Sequence, residues 1–283
     1  MNRKVDRLVN DYRQGGIDRR GFMKKLALYA GGTAAAFALL HASGETAIAS
    51  ELMQDPEIVE EFITYPVEAG EMKGHLAHPK GNKKYPAVIV IHENRGLVPH
   101  IKDVNLRMAK EGFLSLAPDG NSPFGGTPDD QTKGMELLRQ TPGDVQTKNF
   151  VAAVKYLQTH PLSNGKVGCT GFCWGGAMTN QVAVNSPELK AAAPYYGRVP
   201  AAEDVPKIKA AVMAHYAEND QGINAGIAGF EEALKNAGID YQIFSYPGTG
   251  HGFNNDSAPE RYKPEQAKLA WERTVSFFKE KLK

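Results

Sequence analysis

The stretch Gly171-Phe172-Cys173-Trp174-Gly175-Gly176 decides the fold of this 283-residue chain. Residues 166–170 before it are mostly apolar or small and favour a β-strand, whereas residues 177–184 after it favour a helix. Glycines two residues either side of Cys173 permit a sharp strand-to-helix turn, because side chains there would collide with the neighbouring strand and helix. The dipole of that helix would favour the thiolate of Cys173. The alternative is a glycine-rich turn in which Cys173 is merely a small buried residue.

Two later residues complete a candidate catalytic set in the order that such a turn requires. In α/β-hydrolases a nucleophile between glycines is followed by an acid and then by a histidine, each on a loop after a later strand. Asp220 follows one predicted strand, with Glu218 as a competing acid, and His251 follows the next strand between two glycines. The order predicts that Asp220 orients His251, which takes the proton of Cys173 for attack on an acyl carbon.

Apolar runs alternate with amphipathic segments over residues 57–283, which predicts a single α/β domain. The expected architecture is an α/β-hydrolase fold, a doubly wound and mostly parallel sheet with helices on both faces. Strands are predicted near residues 62–65, 74–77, 86–91, 113–118, 166–170, 189–196, 210–216 and 241–246. Helices are predicted near residues 101–111, 131–139, 145–159, 177–184, 225–236 and 265–281. Residues 50–56 are interpreted as a linker, and the Gly- and Pro-rich residues 119–130 as a surface loop.

The segment after the predicted central strand offers the parts of an oxyanion hole. The backbone N–H groups of Trp174 and Asn94 are the candidate donors to a tetrahedral oxyanion. Glu93 is expected near the nucleophile and partly desolvated, and a surface ion pair with Arg95 is the alternative for its carboxylate. The His92-Glu93 pair lacks the second histidine of a zinc peptidase motif.

Residues 1–49 have the features of an export leader. They contain Asp18-Arg19-Arg20-Gly21-Phe22-Met23-Lys24-Lys25, an apolar run from Leu26 to Leu40, and the small-x-small signature Ala47-Ile48-Ala49. The paired arginines followed by x-Phe-Met-Lys resemble the twin-arginine signal of bacteria. We therefore expect the twin-arginine machinery to export the protein to the periplasm, with cleavage near Ala49. A membrane-anchored or cytoplasmic protein is the alternative.

Composition and charge exclude several classes of function. Hydrophobic residues make up 42% of the chain, which is enough for a sizeable core. The net charge is +1, the excess of basic residues lies within residues 1–49, and the slightly acidic remainder gives no reason to expect nucleic acid binding. Residues 2–18 are polar and charged, which favours a solvated leader over a short amphipathic helix. Cys169 and Cys173 cannot form a disulfide framework, no Cys/His spacing fits zinc, and no cofactor is implied.

Three motifs taken together resemble the dienelactone hydrolase family. They are Ile91-His92-Glu93-Asn94-Arg95-Gly96, the stretch around Cys173, and Gly250-His251-Gly252-Phe253, in that order along the chain. The resemblance runs from about residue 57 to the C-terminus. It implies a hydrolase acting on a small-molecule carboxylic ester or lactone, with Cys173, Asp220 and His251 as its catalytic triad.

The same resemblance implies roles for further residues. In the family, the glutamate at the position of Glu93 holds the resting thiol protonated and turned away until substrate displaces it. Tyr195 matches a family tyrosine near the active site, with core packing as the alternative. Members of chloroaromatic pathways bind a substrate carboxylate with arginines, and at one of those positions this chain has Asn255. Arg95 and Arg198 are the candidates to replace them.

Two other classes of function compete with a hydrolase. One is a ligand-binding protein that keeps the scaffold without catalysis, because one fold serves many functions. The other is a redox sensor that uses Cys169 and Cys173, which stand four residues apart across the turn and are poorly placed for a disulfide.

Overall fold

The computed structural model of the protein describes residues 3–14, 16–17, 19–30, 36, 39–40, 43–45, 48 and 57–283. The chain divides into two compact units, residues 1–57 and residues 58–283. The predicted cleavage site near Ala49 and the predicted linker at residues 50–56 lie outside the described residues.

Helices α1 (Arg3–Arg13) and α2 (Arg19–Ala30) lie in the first unit. Apolar side chains of both helices are buried in one cluster that includes Val5, Val9, Phe22 and Leu26. The expectation of a solvated leader over residues 2–18 is therefore wrong, because α1 has an apolar face that packs instead of facing water. No helix among the described residues is long and apolar enough to cross a bilayer.

The second unit is built on an eight-stranded sheet in the order β1-β2-β4-β3-β5-β6-β7-β8. Its strands are β1 (Ile58–Val67), β2 (Gly70–Pro79), β3 (Tyr85–Ile91), β4 (Leu114–Pro118), β5 (Ser163–Phe172), β6 (Ala191–Tyr195), β7 (Ala211–Asn219) and β8 (Tyr241–Gly250). Its helices are α3 (Pro99–Lys110), α4 (Gln131–Gln140), α5 (Gly143–Thr159), α6 (Trp174–Asn185), α7 (Gln221–Asn224), α8 (Ile227–Asn236) and α9 (Pro264–Lys281). Strands β3 to β8 run parallel, and β2 is antiparallel to both of its neighbours. This confirms the predicted mostly parallel sheet.

The sequence of β3 is apolar without interruption because the strand is covered on both faces. Ala87, Ile89 and Ile91 belong to the apolar cluster on one face of the sheet, and Val88 and Val90 to the cluster on the other. Successive side chains of a strand point to opposite faces, so a strand covered on both sides has no polar position. Helices α5 and α6 contribute to the first cluster, and α3 and α9 to the second. The carboxyl ends of the parallel strands therefore lie on a rigid support.

The loop after β4 differs from its prediction only at its start. Its composition predicts a surface loop over residues 119–130, and residues 123–130 are exposed or half-buried, whereas Asp119, Asn121 and Ser122 are buried. The carboxylate of Asp119 accepts hydrogen bonds from the backbone N–H of Thr127 at 2.7 Å and from its hydroxyl at 2.6 Å. A polar loop can be buried where its own side chains satisfy its backbone, as they do here.

Candidate active site

The turn between β5 and α6 has the strained geometry that its glycines predict. Cys173 has φ 57° and ψ −114°, a conformation that residues other than glycine rarely adopt. A Cβ at Gly171 would lie 2.3 Å from the carbonyl oxygen of Gly175, and a Cβ at Gly175 would lie 2.3 Å from that of His92. A Cβ at Gly176 would lie 2.3 Å from the carbonyl oxygen of Tyr195. Only glycine therefore fits at these three positions around Cys173.

The acid and the histidine come from neighbouring strands. His251 directly follows β8 and Asp220 directly follows β7, so both lie at the carboxyl edge of the sheet. The Nδ1 atom of His251 is 2.6 Å from Oδ2 of Asp220. The competing acid, Glu218, instead accepts a hydrogen bond from the backbone N–H of Gly248 at 2.8 Å. The structure thus pairs His251 with Asp220 and uses Glu218 to hold the loop before the histidine.

The imidazole of His251 also meets the thiol of Cys173. Its hydrogen bond with Cys173 raises the pKa of His251 to about 9, with the bond to Asp220 adding to the effect and partial burial opposing it. A histidine with this pKa is protonated at neutral pH, whereas an ordinary one titrates near 6.5. Since Nδ1 faces Asp220, the other ring nitrogen is the one available to Cys173. The three side chains form a continuous line from acid to imidazole to sulfur.

Cys169, the other cysteine, is a buried core residue. Cys169 is fully buried, its thiol hydrogen-bonds to the hydroxyl of Thr179, and burial raises its pKa to about 12. Cys169 and Cys173 are both free thiols. Cys169 therefore lacks the exposure and the thiolate character that a redox partner needs.

The predicted oxyanion donors flank Cys173. Trp174 is the first residue of α6, where a backbone N–H has no partner within its own helix. Asn94 lies in the wall of the pocket that contains Cys173 and His251. Its side-chain amide donates to the sulfur of Met135 at 3.5 Å.

His92 secures this region, a role that sequence reasoning missed. Its Nε2 accepts from the backbone N–H of Gly120 at 2.9 Å, so its Nδ1 carries the proton and donates to the carbonyl oxygen of Glu93 at 2.6 Å. Burial lowers the pKa of His92, which keeps the ring neutral. The indole of Trp174 stacks on this ring with centroids 5.3 Å apart. The signal in the sequence that could have revealed this role is the uninterrupted apolar run of β3, which ends directly before His92.

Glu93 does not pair with Arg95. One of its carboxylate oxygens accepts a hydrogen bond of 3.0 Å from the side-chain amide of Asn255, in the loop after His251. The guanidinium of Arg95 is exposed and donates to Gln131. Of the predicted arginines, Arg95 thus points to the surface.

A cavity of about 510 Å³ opens above Cys173 and His251. Its wall includes Arg198, one of the predicted substrate-binding candidates, and Arg139 of α4, which sequence reasoning missed. Arg139 is not close in sequence to any of the predicted site residues, and only the fold brings α4 to the cavity. The cavity thus carries two cationic side chains in the same wall as the sulfur of Cys173.

The predicted Tyr195 does not reach this cavity. Its hydroxyl is buried against α9, 2.6 Å from the hydroxyl of Thr274 and donating at 3.0 Å to the carbonyl oxygen of Ala270. The next residue, Tyr196, lines the cavity instead, with its ring 5.1 Å from that of His251. Tyr196 leaves the strand with φ 36°, which turns its side chain toward Cys173. Tyr195 is therefore a core residue, which is the alternative that the sequence analysis gave for it.

The described residues contain no group of three or more His, Cys, Asp or Glu side chains arranged to hold a metal ion.

Known proteins share the sequence and the fold over most of this chain. A model of the dienelactone hydrolase family matches residues 72–282. A protein of Synechocystis sp. provisionally named carboxymethylenebutenolidase is 33% identical over 240 residues, covering 78% of this chain and 97% of the relative. A relative in Escherichia coli K12 with the same provisional name is 31% identical over 251 residues, covering 82% and 92%. The crystal structure of a provisionally named dienelactone hydrolase from Klebsiella pneumoniae aligns with a TM-score of 0.71 at 28% identity, covering 78% of this chain and 98% of that one. This chain is accordingly a hydrolase of the ester or lactone type and belongs to the dienelactone hydrolase family.

Proposed function

We propose that the protein hydrolyses small carboxylic esters or lactones through a covalent acyl-enzyme formed on Cys173. The observation that carries the proposal is the continuous line from Asp220 through His251 to Cys173, with the sulfur held at a strained turn. An imidazolium beside a sulfur favours the thiolate, which is the nucleophilic form of cysteine. Asp220 fixes the ring orientation so that the same nitrogen serves in every step.

The reaction then follows in two halves. The thiolate of Cys173 attacks the carbonyl carbon, and the resulting oxyanion accepts hydrogen bonds from the backbone N–H groups of Trp174 and Asn94. The intermediate collapses to a thioester and expels the alkoxide, which takes the proton of His251 and leaves as an alcohol or, from a lactone, as a tethered hydroxyl. Neutral His251 next takes a proton from water as the water oxygen attacks the thioester. Collapse of the second intermediate releases the carboxylic acid and restores the thiolate and imidazolium.

The substrate that best suits the cavity carries a negative charge of its own. Arg139 and Arg198 line the same cavity as Cys173, and both are exposed to solvent that a substrate would displace. A guanidinium binds a carboxylate through paired N–H groups, which fixes orientation as well as charge. We propose an ester or lactone with a carboxylate remote from the scissile bond.

Glu93 is proposed to control the state of the nucleophile. Its carboxylate and Cys173 both lie close enough to Tyr196 to raise the pKa of that phenol, after burial as the first cause. A carboxylate so near a sulfur disfavours the thiolate, whereas the imidazolium of His251 favours it. The hydrogen bond to Asn255 supports a state in which Glu93 is held by another partner while Cys173 faces His251.

The decisive experiment is alkylation and mutation of the two cysteines. We expect Cys173→Ala to abolish hydrolysis of p-nitrophenyl acetate, and iodoacetamide to inactivate the wild type with one carboxamidomethyl group on Cys173. Cys169→Ala is the matched control, since Cys169 is buried and its pKa is raised, and it should keep both the activity and the inactivation. Full activity in Cys173→Ala would show that another group attacks the ester.

We propose in addition that residues 1–49 direct export through the twin-arginine machinery to the periplasm. The paired arginines begin α2, and the apolar residues that follow them include the buried Phe22 and Leu26. N-terminal sequencing of the periplasmic protein should begin near Ser50. Arg19→Lys with Arg20→Lys should leave the precursor in the cytoplasm, while Arg3→Lys with Arg7→Lys, outside the motif, should not. Periplasmic mature protein from the first variant would rule out the twin-arginine route.

A further inference from the structure

A second cavity of about 670 Å³ lies along the seam between α5 and α6. Gly143, Thr147 and Val151 line it from α5, and Trp174, Met178 and Gln181 line it from α6. Within each helix these residues are three or four positions apart, so each set occupies one face. The cavity is therefore a groove between two helices, which we call the α5–α6 groove.

The α5–α6 groove adjoins the catalytic cavity. Gln146, Trp174 and Ala177 line both spaces. Of these three residues Ala177 has the smallest side chain, and Trp174 forms a fixed wall beside it. The indole of Trp174 stacks on His92 with ring centroids 5.3 Å apart and packs against Phe150 with centroids 5.8 Å apart, so it cannot rotate without breaking both contacts.

The chemistry of the groove differs from that of the catalytic cavity. Its floor is apolar, formed by Val151, Trp174 and Met178, whereas polar side chains such as those of Lys148 and Asn185 stand at its rim. From Trp174 to Gln181, both of which line the groove, the helix advances roughly 10 Å at 1.5 Å per residue, a length that suits an extended chain of about ten carbons. An apolar floor with polar edges favours an unbranched hydrocarbon chain that lies flat on the surface.

The position of His251 decides which part of an ester would enter. His251 must protonate the leaving oxygen, so the alcohol part lies on the side of His251. The side chain of His251 lines the catalytic cavity but not the groove, which shares Trp174 and Ala177 with that cavity. The acyl part therefore points to the groove.

We propose that the α5–α6 groove is an acyl-chain subsite, and that the enzyme prefers esters of medium-length unbranched fatty acids whose chains lie in it. This inference rests on the proposed hydrolysis at Cys173. Complete burial of a methylene corresponds to a gain of about fourfold in binding. Because the groove is open on one side, we expect a gain of about twofold in kcat/KM for each methylene.

The test uses the full chain and p-nitrophenyl esters from acetate to decanoate. In the wild type kcat/KM should rise steadily with acyl length up to about ten carbons, the length estimated from the helix rise. Gln181→Trp and, separately, Thr147→Trp place an indole in the groove from either wall, at half-buried positions that tolerate size. Each should lower kcat/KM for the decanoate at least tenfold and leave the acetate within twofold. Lys268→Trp, on the exposed face of α9, is the matched control and should change neither.

A measurement on the wild type alone tests the acyl subsite even if the variants fail to fold. Octanoate should inhibit hydrolysis of the acetate ester competitively, with an inhibition constant at least tenfold below that of free acetate. If the acetate ester is hydrolysed but kcat/KM does not rise with acyl length, the acyl subsite is wrong while the proposed hydrolysis stands. Equal inhibition by octanoate and acetate would have the same meaning. Absence of turnover with every ester of the series would instead overturn the proposed function.

Discussion

The side-chain amide of Asn255 donates a hydrogen bond of 3.0 Å to a carboxylate oxygen of Glu93, which ties the loop after His251 to the loop after β3. The orientation of this amide is fixed, because Oδ1 of Asn255 accepts from the backbone N–H of Ser257 at 3.0 Å and from its hydroxyl at 2.6 Å. The NH₂ group must therefore face Glu93. A neutral donor thus holds the carboxylate of Glu93, at the position where the family resemblance leads one to expect an arginine.

A charge at this position should oppose Glu93. Asn255→Asp places two carboxylates within hydrogen-bond distance, and they repel each other once both are ionised. We expect the loss of Tm relative to the wild type to be small at pH 4 and to grow as the pH rises to 7, because ordinary carboxyl groups ionise near pH 4. Thermal unfolding across this range measures the effect. Asn255→Ala, which removes the donor without adding charge, should show a loss that does not depend on pH, and equal behaviour of both variants would contradict the contact.

The glycines of the turn around Cys173 should not tolerate replacement by any residue with a Cβ atom. Gly175→Ala brings a Cβ to 2.3 Å from the carbonyl oxygen of His92 and 2.5 Å from that of Ile91, and these backbone atoms belong to the central strand and the loop after it. We expect a loss of about 3 kcal/mol or more in the free energy of unfolding by urea. Gly229→Ala is the matched control, since a Cβ there meets nothing within 4 Å and α8 should gain about 0.5–1 kcal/mol. A mild effect at Gly175 would mean that the turn relaxes freely.

His251 should titrate far above an ordinary histidine. The bonds to Cys173 and Asp220 raise its pKa to about 9, and NMR of the ring protons should find a midpoint near that value. Because the folded pKa lies above the ordinary 6.5, the contribution of His251 to stability is complete below pH 6.5 and is lost as the pH rises through about 9. Cys173→Ala removes the largest cause, so its midpoint should fall toward the ordinary range. Asp220→Asn should lower it less, and an unchanged midpoint in Cys173→Ala would separate the imidazole from the sulfur.

Arg139 and Arg198 should set the preference for a charged substrate. We expect Arg139→Gln with Arg198→Gln to lower kcat/KM about tenfold or more for an ester that carries a remote carboxylate, since hydrogen bonds to charged groups contribute roughly 1.5–3 kcal/mol each before solvent screening. The methyl-capped neutral ester should change less than about threefold. Arg95→Gln is the control, because Arg95 is exposed and contacts Gln131 instead of the cavity.

Salt provides an independent check on the same two arginines. Raising the ionic strength to 1 M shortens the screening length to about 3 Å, so the preference of the wild type for the charged ester should shrink. An equal loss for both esters in the double variant would mean that the arginines serve folding and not recognition.

Local patterns predicted what depends on neighbours in sequence. The apolar run of β3 predicted a strand covered on both faces, and the spacing of glycines around Cys173 predicted the strained turn, because both are dictated by backbone geometry over a few residues. The order of acid and histidine after later strands also followed, since all parallel strands end at one edge of a sheet. The burial of residues 119–122 escaped the same reasoning, because the carboxylate of Asp119 is satisfied by Thr127, eight residues away.

The sequence by itself thus determined the sheet, the turn that carries Cys173 and the approach of His251 to it. The structure pairs His251 with Asp220, as predicted, and not with the competing Glu218. Only the tertiary structure decided that Tyr196 and not Tyr195 faces the cavity, and that α4 brings Arg139 to the same cavity as Arg198. The physical reason is that the patterns that define strands and turns involve only neighbouring residues of the chain. The direction of a side chain at the end of a strand depends instead on a few backbone angles and on contacts with residues far away in the sequence.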